Sequence, residues 1–499
     1  VSTQMSNTTE GSTSGAPDSG DLGRRAARGA SVVYLGQGAR LLLQVASTAV
    51  LARLLSPTDY GLLAMVMAVV GVGEIFRDFG LSTAAIQADS LNQGQRATLF
   101  WLNTGIGAVL TGVALLGAPL IARGFGYPEL VGMTHALAFT FLLNGMAAQY
   151  RAHLVRDLRF TTTTVRDVIS QVLGVVVAIG AALLGAGYWA LVAQQLVQAG
   201  VGLLILVSAT RWLPLRPGPI RAVRPMIHYG WNLAASQLVA YMNSNVDTLT
   251  VSFRFGAAPL GIYSRGFQLL MRPLGQLRGP TNNIAVPVLS RLRADPNRAN
   301  GYVVKGQVIF GYTLVPGMAL VFAAATPIVM IFLGRQWGQT GPIVAALACA
   351  GAFETLAYVG SWVYQARGLT PQLFRYSLMS LAIKIVCVVG GSQFGLLGVA
   401  VGYAIAPGLA WPLSLWWLGR LTDLPKRQLW LGAGRILACA VPAALVGRLM
   451  VDLLHTSSLV QALAAAAAVG VVYAAALLVK PIRRDVSEVF AVARKALAR

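Results

Sequence analysis

The sequence predicts an all-α integral membrane protein of about fourteen transmembrane helices, arranged as two six-helix bundles plus a C-terminal pair. Three observations carry this. Of 499 residues, 56% are hydrophobic and 11% charged, against about 25% charged in a soluble domain. Apolar runs of about 20 residues, enough to cross a hydrocarbon core of about 30 Å, follow one another almost to the C-terminus. Basic residues collect in every second loop. The runs are too long and too uniformly apolar for the tilted, alternating strands of a membrane barrel.

Residues 1–28 read as a disordered cytoplasmic tail, because Val1 to about Asp21 are Ser, Thr and Gly with almost no apolar content. The first apolar run follows Arg24, Arg25 and Arg28 and lacks a cleavage site, so it is expected to stay as a span. Spans are predicted at 29–54, 59–80, 97–122, 130–150, 162–185 and 187–210, which form the first bundle (29–210). A proline-marked polar linker, 211–226, separates these from spans at 227–253, 259–281, 303–327, 340–364, 374–391 and 394–419 (bundle 227–427). Accessory spans at 430–453 and 457–479 fill 428–479. In the tail, 480–499, Val486, Val489, Phe490, Ala493 and Leu497 form an apolar stripe opposite Arg and Lys, suited to the inner membrane surface.

With a cytoplasmic N-terminus, the inner loops carry Arg151, Arg156, Arg159, then Arg211, Arg216, Arg221, Arg224. They continue with Arg291, Arg293, Arg298, Lys305, Arg420, Lys426, Arg427 and the basic tail, from Lys480, Arg483 and Arg484 to Arg494, Lys495 and Arg499. The outer loops hold little beyond Arg53, Arg123, Arg254 and Arg335. Both termini are therefore expected in the cytoplasm. This topology accounts for the formal charge of +22 without nucleic acid, for which no aromatic RNA-type motif is present. The Arg, Ala, Gly and Val bias fits a GC-rich bacterial genome. Cys349, Cys387 and Cys439 stand alone in separate apolar runs, a pattern that indicates neither a metal centre nor a disulfide.

Three runs carry polar stripes at helical spacing: Gln37, Arg40, Gln44, Ser47; Asn232, Ser236, Asn243, Asp247; and Arg265, Gln268, Arg272, Gln276. An arginine at the bilayer centre costs about 2.5–3.5 kcal/mol on insertion scales, so aligned arginines imply a shared wet interior. The segment LLSPTDYGLLAM from Leu54 also resembles RFGAAPLGIYSR from Arg254, at an offset of about 200 residues, each feeding a helix through Gly61 or Gly261.

Five segments go further. LARLLSPTDYGLLAM (51–65) with EIFRDFGLSTAAIQ (74–87), RAHLVRDLRF (151–160), NSNVDTLTVSFRFGAAPLGIYSRGFQLLMRP (243–273) and FLGRQW (332–337) resemble bacterial polysaccharide flippases of the Wzx type. That family shares a superfamily, MOP, with MATE drug exporters and MurJ-type lipid II flippases. The resemblance implies a MATE-like fold with two lobes around a V-shaped central cavity in the bacterial cytoplasmic membrane. It also implies alternating access that carries polyprenyl-diphosphate-linked oligosaccharide from the inner to the outer leaflet, alongside membrane lipids and pathway polymerases or glycosyltransferases.

Such a substrate needs cations for its phosphates and polar groups for its sugars. Arg40, Arg265 and Arg272 lead as phosphate ligands, because the guanidinium fork matches phosphate oxygens and keeps its charge. Gln37, Gln44, Gln268 and Asn243 share their faces, Gln194 and Gln198 could bind sugars or bridge helices, and Pro273 could kink the helix beside Arg272. Arg53 sits where it binds substrate or anchors at the outer interface; Arg278, near the inner interface, is open to the same anchoring role. Arg265 could instead form a static pair with Asp247. Asp247 is otherwise the candidate proton or sodium coupling site. Glu74, Arg77 and Asp78 could latch the lobes or form a fixed salt bridge, and Glu354 and Lys384 could pair or serve coupling. Trp337, Trp362, Trp411, Trp416 and Trp417 fit interface belts. No cofactor is expected beyond a coupling H+ or Na+.

The alternatives are a membrane polymerase or glycosyltransferase, a lipid II flippase and a cation-coupled drug exporter. The predicted outer loops hold no paired acids, no GxxxxGK[ST] loop is present, and the stripes bear more Arg than carboxylate. An anionic substrate and a non-enzymatic carrier are the expectation.

Overall fold

The computed structural model describes residues 19–78, 80–87, 91–214 and 216–497, and it is all helical. The expected tail up to residue 18 lies outside the described residues. So do the side chains of Arg24, Arg25, Arg28, Arg224, Asn232, Ala493, Lys495, Leu497 and Arg499. The long helices in chain order are α1 (Ser19–Leu54), α2 (Pro57–Asp78), the short α3 (Leu81–Gln87), α4 (Gln93–Phe125), α5 (Glu129–Arg156), α6 (Phe160–Leu183) and α7 (Tyr188–Thr210). After a 3-10 turn come α8 (Arg224–Phe255), α9 (Ala257–Arg291), α10 (Pro296–Ala323), the short α11 (Ala325–Phe332) and α12 (Thr340–Ala366). The series closes with α13 (Thr370–Gly391), α14 (Gly395–Leu421), α15 (Lys426–Leu453), α16 (Ser458–Ala476) and α17 (Lys480–Leu497).

Among the described residues, ten helical stretches, one of them holding both α13 and α14, are long and apolar enough to cross a membrane. The helices α1, α8 and α9 are also long, but they carry the polar stripes, which lower their hydropathy. The helices most expected to face a wet interior are thus the least membrane-like by composition.

Local chemistry sets the turns. Ser56 caps α2: its backbone N–H donates to Asp59 Oδ2 at 2.9 Å, and the Asp59 N–H donates to Ser56 Oγ at 3.2 Å, with Pro57 at the first helical position. Asn92 and Gln95 form the same reciprocal box at the start of α4. Between α8 and α9 the chain reverses at Gly256, whose φ of 84° favours glycine.

Contacts between the first seven helices and the later ones centre on α2, which packs against α8 and α9. At one crossing the two segments of the faint repeat meet each other. A Cβ on Gly61 would overlap the Ala257 carbonyl, and one on Gly261 would overlap the Pro57 carbonyl. Each helix thus offers its glycine to the first residue of the other.

Trp337 is fully buried beside this crossing, edge-on to Tyr60 at 5.6 Å, and donates from Nε1 to the Ala52 carbonyl at 2.7 Å. The opposite end of the bundle carries the arginine-rich turns, where Arg293 bonds the Ala366 carbonyl and Arg156 the Ala85 carbonyl. The expected tryptophan belt needs correction: Trp337, Trp362 and Trp411 are core residues. Trp416 is exposed, with the Arg420 guanidinium 3.9 Å over its ring. Along α17, Ile482 is buried and Asp485 accepts both Arg435 Nε and Nη2, at 2.7 and 3.2 Å, tying this basic helix to α15.

Candidate functional site

A cavity of about 650 Å³ opens between α1, α2, α7, α8 and α9, and a second of about 270 Å³ adjoins it along α6. Arg40, Met67, Gln171, Gln195 and Gln198 line both, so the two spaces are continuous. From α1 come Arg40, Gln44 and Ser47; from α9, Arg265, Gln268 and Arg272; from α7, Gln194, Gln195 and Gln198. Two of the three predicted stripes therefore reach the space they implied. Gln37 is exposed and does not line it, one turn before Arg40.

The stripe on α8 is rotated from its expected face. Tyr241, Ser244, Asn245 and Thr248 line the cavity, at spacings of three and four. Asn243 and Asp247 lie about 100° around the helix, outside the lining. Packing explains it: α8 is held between α2 on one side and α13 and α14 on the other. Tyr241 faces α2, its hydroxyl donating to the Ala68 carbonyl at 2.9 Å.

Arg265 is buried, and its guanidinium sits 3.8 Å from the centre of the Tyr60 ring, across the α2–α9 interface. Its Nε has no protein partner. The alternative pairing with Asp247 is absent: among the described residues Arg265 forms no ion pair, because its side chain turns to Tyr60 while Asp247 turns away from the cavity. Arg272, one face along on α9, is exposed to the same space and likewise forms no described ion pair. Arg40 differs. Its Nη1 donates to Asp167 Oδ2 at 2.9 Å, and the side chain stays 49% exposed.

Asp167 and Arg166, on α6, belong to the site although the 162–185 span reads as apolar overall. The signal was there: Thr163, Arg166, Asp167, Ser170 and Gln171 repeat at three- and four-residue spacing, as on the other stripes. Tyr60 and Tyr241 were also overlooked, since an aromatic in an apolar run reads as core.

Arg53 lies away from the cavity: Nη2 donates to the Ile331 carbonyl at 2.8 Å, which fastens the end of α1 to the last turn of α11. Glu74 lines the smaller cavity, accepting from Arg77 Nε at 2.5 Å and Asn144 Nδ2 at 2.9 Å. Arg77 also donates to the Asn144 carbonyl. These bonds join α2 to α5, within one half of the molecule. Asp78 accepts from Ser82 at the start of α3.

The remaining ionisable groups gather inside the second half. Asp247 is fully buried with neither carboxylate oxygen hydrogen-bonded, and Tyr263 and Lys384 are its polar neighbours. Lys384 Nζ rests 4.2 Å over the Tyr403 ring, and Tyr403 donates to Glu354 Oε1 at 3.4 Å. Glu354 Oε2 takes Arg278 Nη2 at 2.9 Å. The expected Glu354–Lys384 pair is thus replaced: Arg278 neutralises Glu354, and Tyr403 stands between the glutamate and the lysine. Arg278 is buried rather than at an interface.

With this geometry in view, similarity to known proteins becomes informative. The profile of a family described as "Polysaccharide biosynthesis protein" matches residues 50–342. The Escherichia coli (strain K12) lipopolysaccharide biosynthesis protein WzxC is 23% identical over 384 residues, 75% of this chain and 76% of its own. The teichuronic acid biosynthesis protein TuaB of Bacillus subtilis (strain 168) is 25% identical over 389 residues, 77% of this chain and 80% of its own. A structure of the lipid II flippase MurJ in an inward closed conformation superposes with a TM-score of 0.71 at 14% identity, covering 90% of this chain and 99% of MurJ.

Proposed function

This chain belongs to the polysaccharide biosynthesis protein family, and from that premise we propose that it is a flippase for polyprenyl-diphosphate-linked oligosaccharide, moving the unit from the inner to the outer leaflet by alternating access. The observation that carries the reading is a continuous cavity at the junction of the halves, walled by Arg40, Arg166, Arg265 and Arg272 and by glutamines. Arginine forks match phosphate oxygens, and amides and hydroxyls match sugars. Arg265 and Arg272, held without a described carboxylate partner, are the cations most in need of an anionic ligand.

In this reading the chain crosses the membrane about fourteen times, as lobes 29–210 and 227–427 joined by the linker 211–226, with 428–479 accessory and 480–499 on the inner surface. The arginine-rich end faces the cytoplasm, in support of which Arg53, Arg254 and Arg335 collect at the Trp337 end with few other cations. The α2–α9 crossing closes the outer side, and the fold likeness to an inward closed flippase fits that state. Asp247, linked through Tyr263, Lys384 and Tyr403 toward Glu354, is the site where a proton or sodium gradient would act. A polymerase and glycosyltransferases would act on either side of this carrier. That WzxC and TuaB bear the names of different glycans supports assigning the diphosphate, rather than the sugar, to the arginines.

The test is genetic and chemical together. Deleting the gene is expected to abolish one surface glycan and accumulate its lipid-linked unit inside. Restoring the gene with Arg272→Gln should leave that accumulation in place at normal protein abundance. Normal glycan display with Arg272→Gln would reject the arginine cavity as the path, and accumulation of lipid II would redirect the substrate assignment.

A further inference from the structure

Asp167 stands among cations in the smaller cavity. Its Oδ1 accepts Arg166 Nη1 at 2.7 Å, its Oδ2 accepts Arg40 Nη1 at 2.9 Å, and Arg151 Nη2 lies 3.8 Å from the same oxygen. Three guanidinium groups thus share one carboxylate, leaving a local excess of two positive charges. The carboxylate side chain is 12% exposed, whereas Arg40 and Arg151 are 49% and 56% exposed. The Nε of Arg166 is buried without a partner. All four residues sit on α1, α5 and α6, so this cluster holds no contact between the halves that a gate would need.

A carboxylate and a phosphate present the same paired-oxygen edge to a guanidinium, and the phosphate brings more charge and more oxygens. The Arg40 side of the cluster is half exposed, and an ion pair open to water on one side exchanges more readily than one buried on both. Building on the flippase reading, we infer that Asp167 is an internal stand-in for phosphate: it occupies Arg40 and Arg166 in the empty carrier and competes with the incoming diphosphate for them. Its effect is to hold affinity down. The unloaded cavity then does not retain stray anions, and the lipid diphosphate can leave the Arg40 station for Arg265 and Arg272. In Arg265 and Arg272 the wall offers cations with no such competitor among the described residues. Asp167 is therefore a positioning residue whose removal should strengthen binding and slow transport, opposite signs that loss of a merely structural salt bridge would not give.

The experiment uses the full chain in lipid nanodiscs and proteoliposomes, with a sugar-free polyprenyl diphosphate as probe and inorganic pyrophosphate as the tail-free arm. Asp167→Asn is expected to tighten binding of both probes by about tenfold and to lower the rate of transfer between leaflets. Asp167→Glu should bring both back toward the unaltered protein. Unchanged or weaker binding by Asp167→Asn, or a change confined to the lipid probe, overturns the inference and leaves the flippase reading standing. If the unaltered protein binds neither probe, both are overturned. Should Asp167→Asn fail to accumulate, the charge-balanced pair Arg40→Gln/Asp167→Asn is compared with Arg40→Gln alone. The pair should bind pyrophosphate more tightly, and equal affinities reject the competition.

Discussion

The two halves of the molecule handle charge within a membrane in opposite ways. In the first half, Arg40, Arg166 and Asp167 face an open cavity, and their pairs are partly exposed. In the second, Asp247, Lys384 and the Arg278–Glu354 pair are turned inward among Tyr263, Tyr358 and Tyr403. Both α8 and α9 serve both sides: Arg265 and Arg272 lie on the cavity face of α9 and Arg278 on its buried face, as Thr248 and Asp247 do on α8. An ionisable residue in mid-span is therefore held in two distinct manners: open to the cavity, where the proposed reading makes it a ligand, or turned inward among other buried polar groups. Exposure to the cavity, rather than presence in the span, separates them.

Substitutions can sharpen or break this contrast. The largest effect is expected from Arg265→Gln, which removes a cavity cation while leaving no carboxylate behind. Surface-glycan display should fall by at least about tenfold with protein abundance unchanged, read by immunoblot against the glycan and the chain. Gly61→Val comes next. Its side chain would press on the Ala257 carbonyl and cost about 1–3 kcal/mol of closed-state stability. The check is labelling of a cavity cysteine at Ser47 from the Trp337 end, which should rise.

On the inward-turned side, Glu354→Gln leaves Arg278 without its counter-charge. The pair is incompletely buried, so about 1–3 kcal/mol of stability is expected to be lost, seen as a lower unfolding temperature in detergent with pyrophosphate binding intact. Asp247→Asn should fold, because it removes an unbonded buried carboxylate, yet abolish the response of transport to an imposed pH or sodium gradient in proteoliposomes. An unchanged response removes Asp247 from coupling. The smallest effect belongs to Gln37→Ala, which lies outside the cavity and should leave display unaltered. A marked loss there would move the cavity boundary down α1.

The helical architecture was legible from hydropathy and loop charge because both follow from the cost of burying polar groups in lipid. The site was legible in part. The α1 and α9 stripes reach the cavity through Arg40, Gln44 and Ser47 and through Arg265, Gln268 and Arg272. The α8 stripe was misassigned because two polar faces run side by side there: one for the cavity, through Tyr241 and Thr248, and one for α13 and α14, through Asp247. Periodicity reports that a face is polar, and only packing says which neighbour it meets. For the same reason Glu354 found Arg278 rather than Lys384: the sequence puts Lys384 in mid-span and Arg278 near the inner interface, and the choice is made by helix order in space.

Gly61 and Gly261 meet each other's helix through the same stride of four residues, Pro57 to Gly61 and Ala257 to Gly261. The contact has the self-complementarity of an isologous dimer interface, drawn inside a single polypeptide. A crossing of that kind has no separate lock and key, so a substitution in either copy presses on the same pair of helices. Parting it separates two backbones together, and with them the Arg265 guanidinium from the Tyr60 ring. The opening of this end should therefore be concerted, a single step rather than a sequence of local releases.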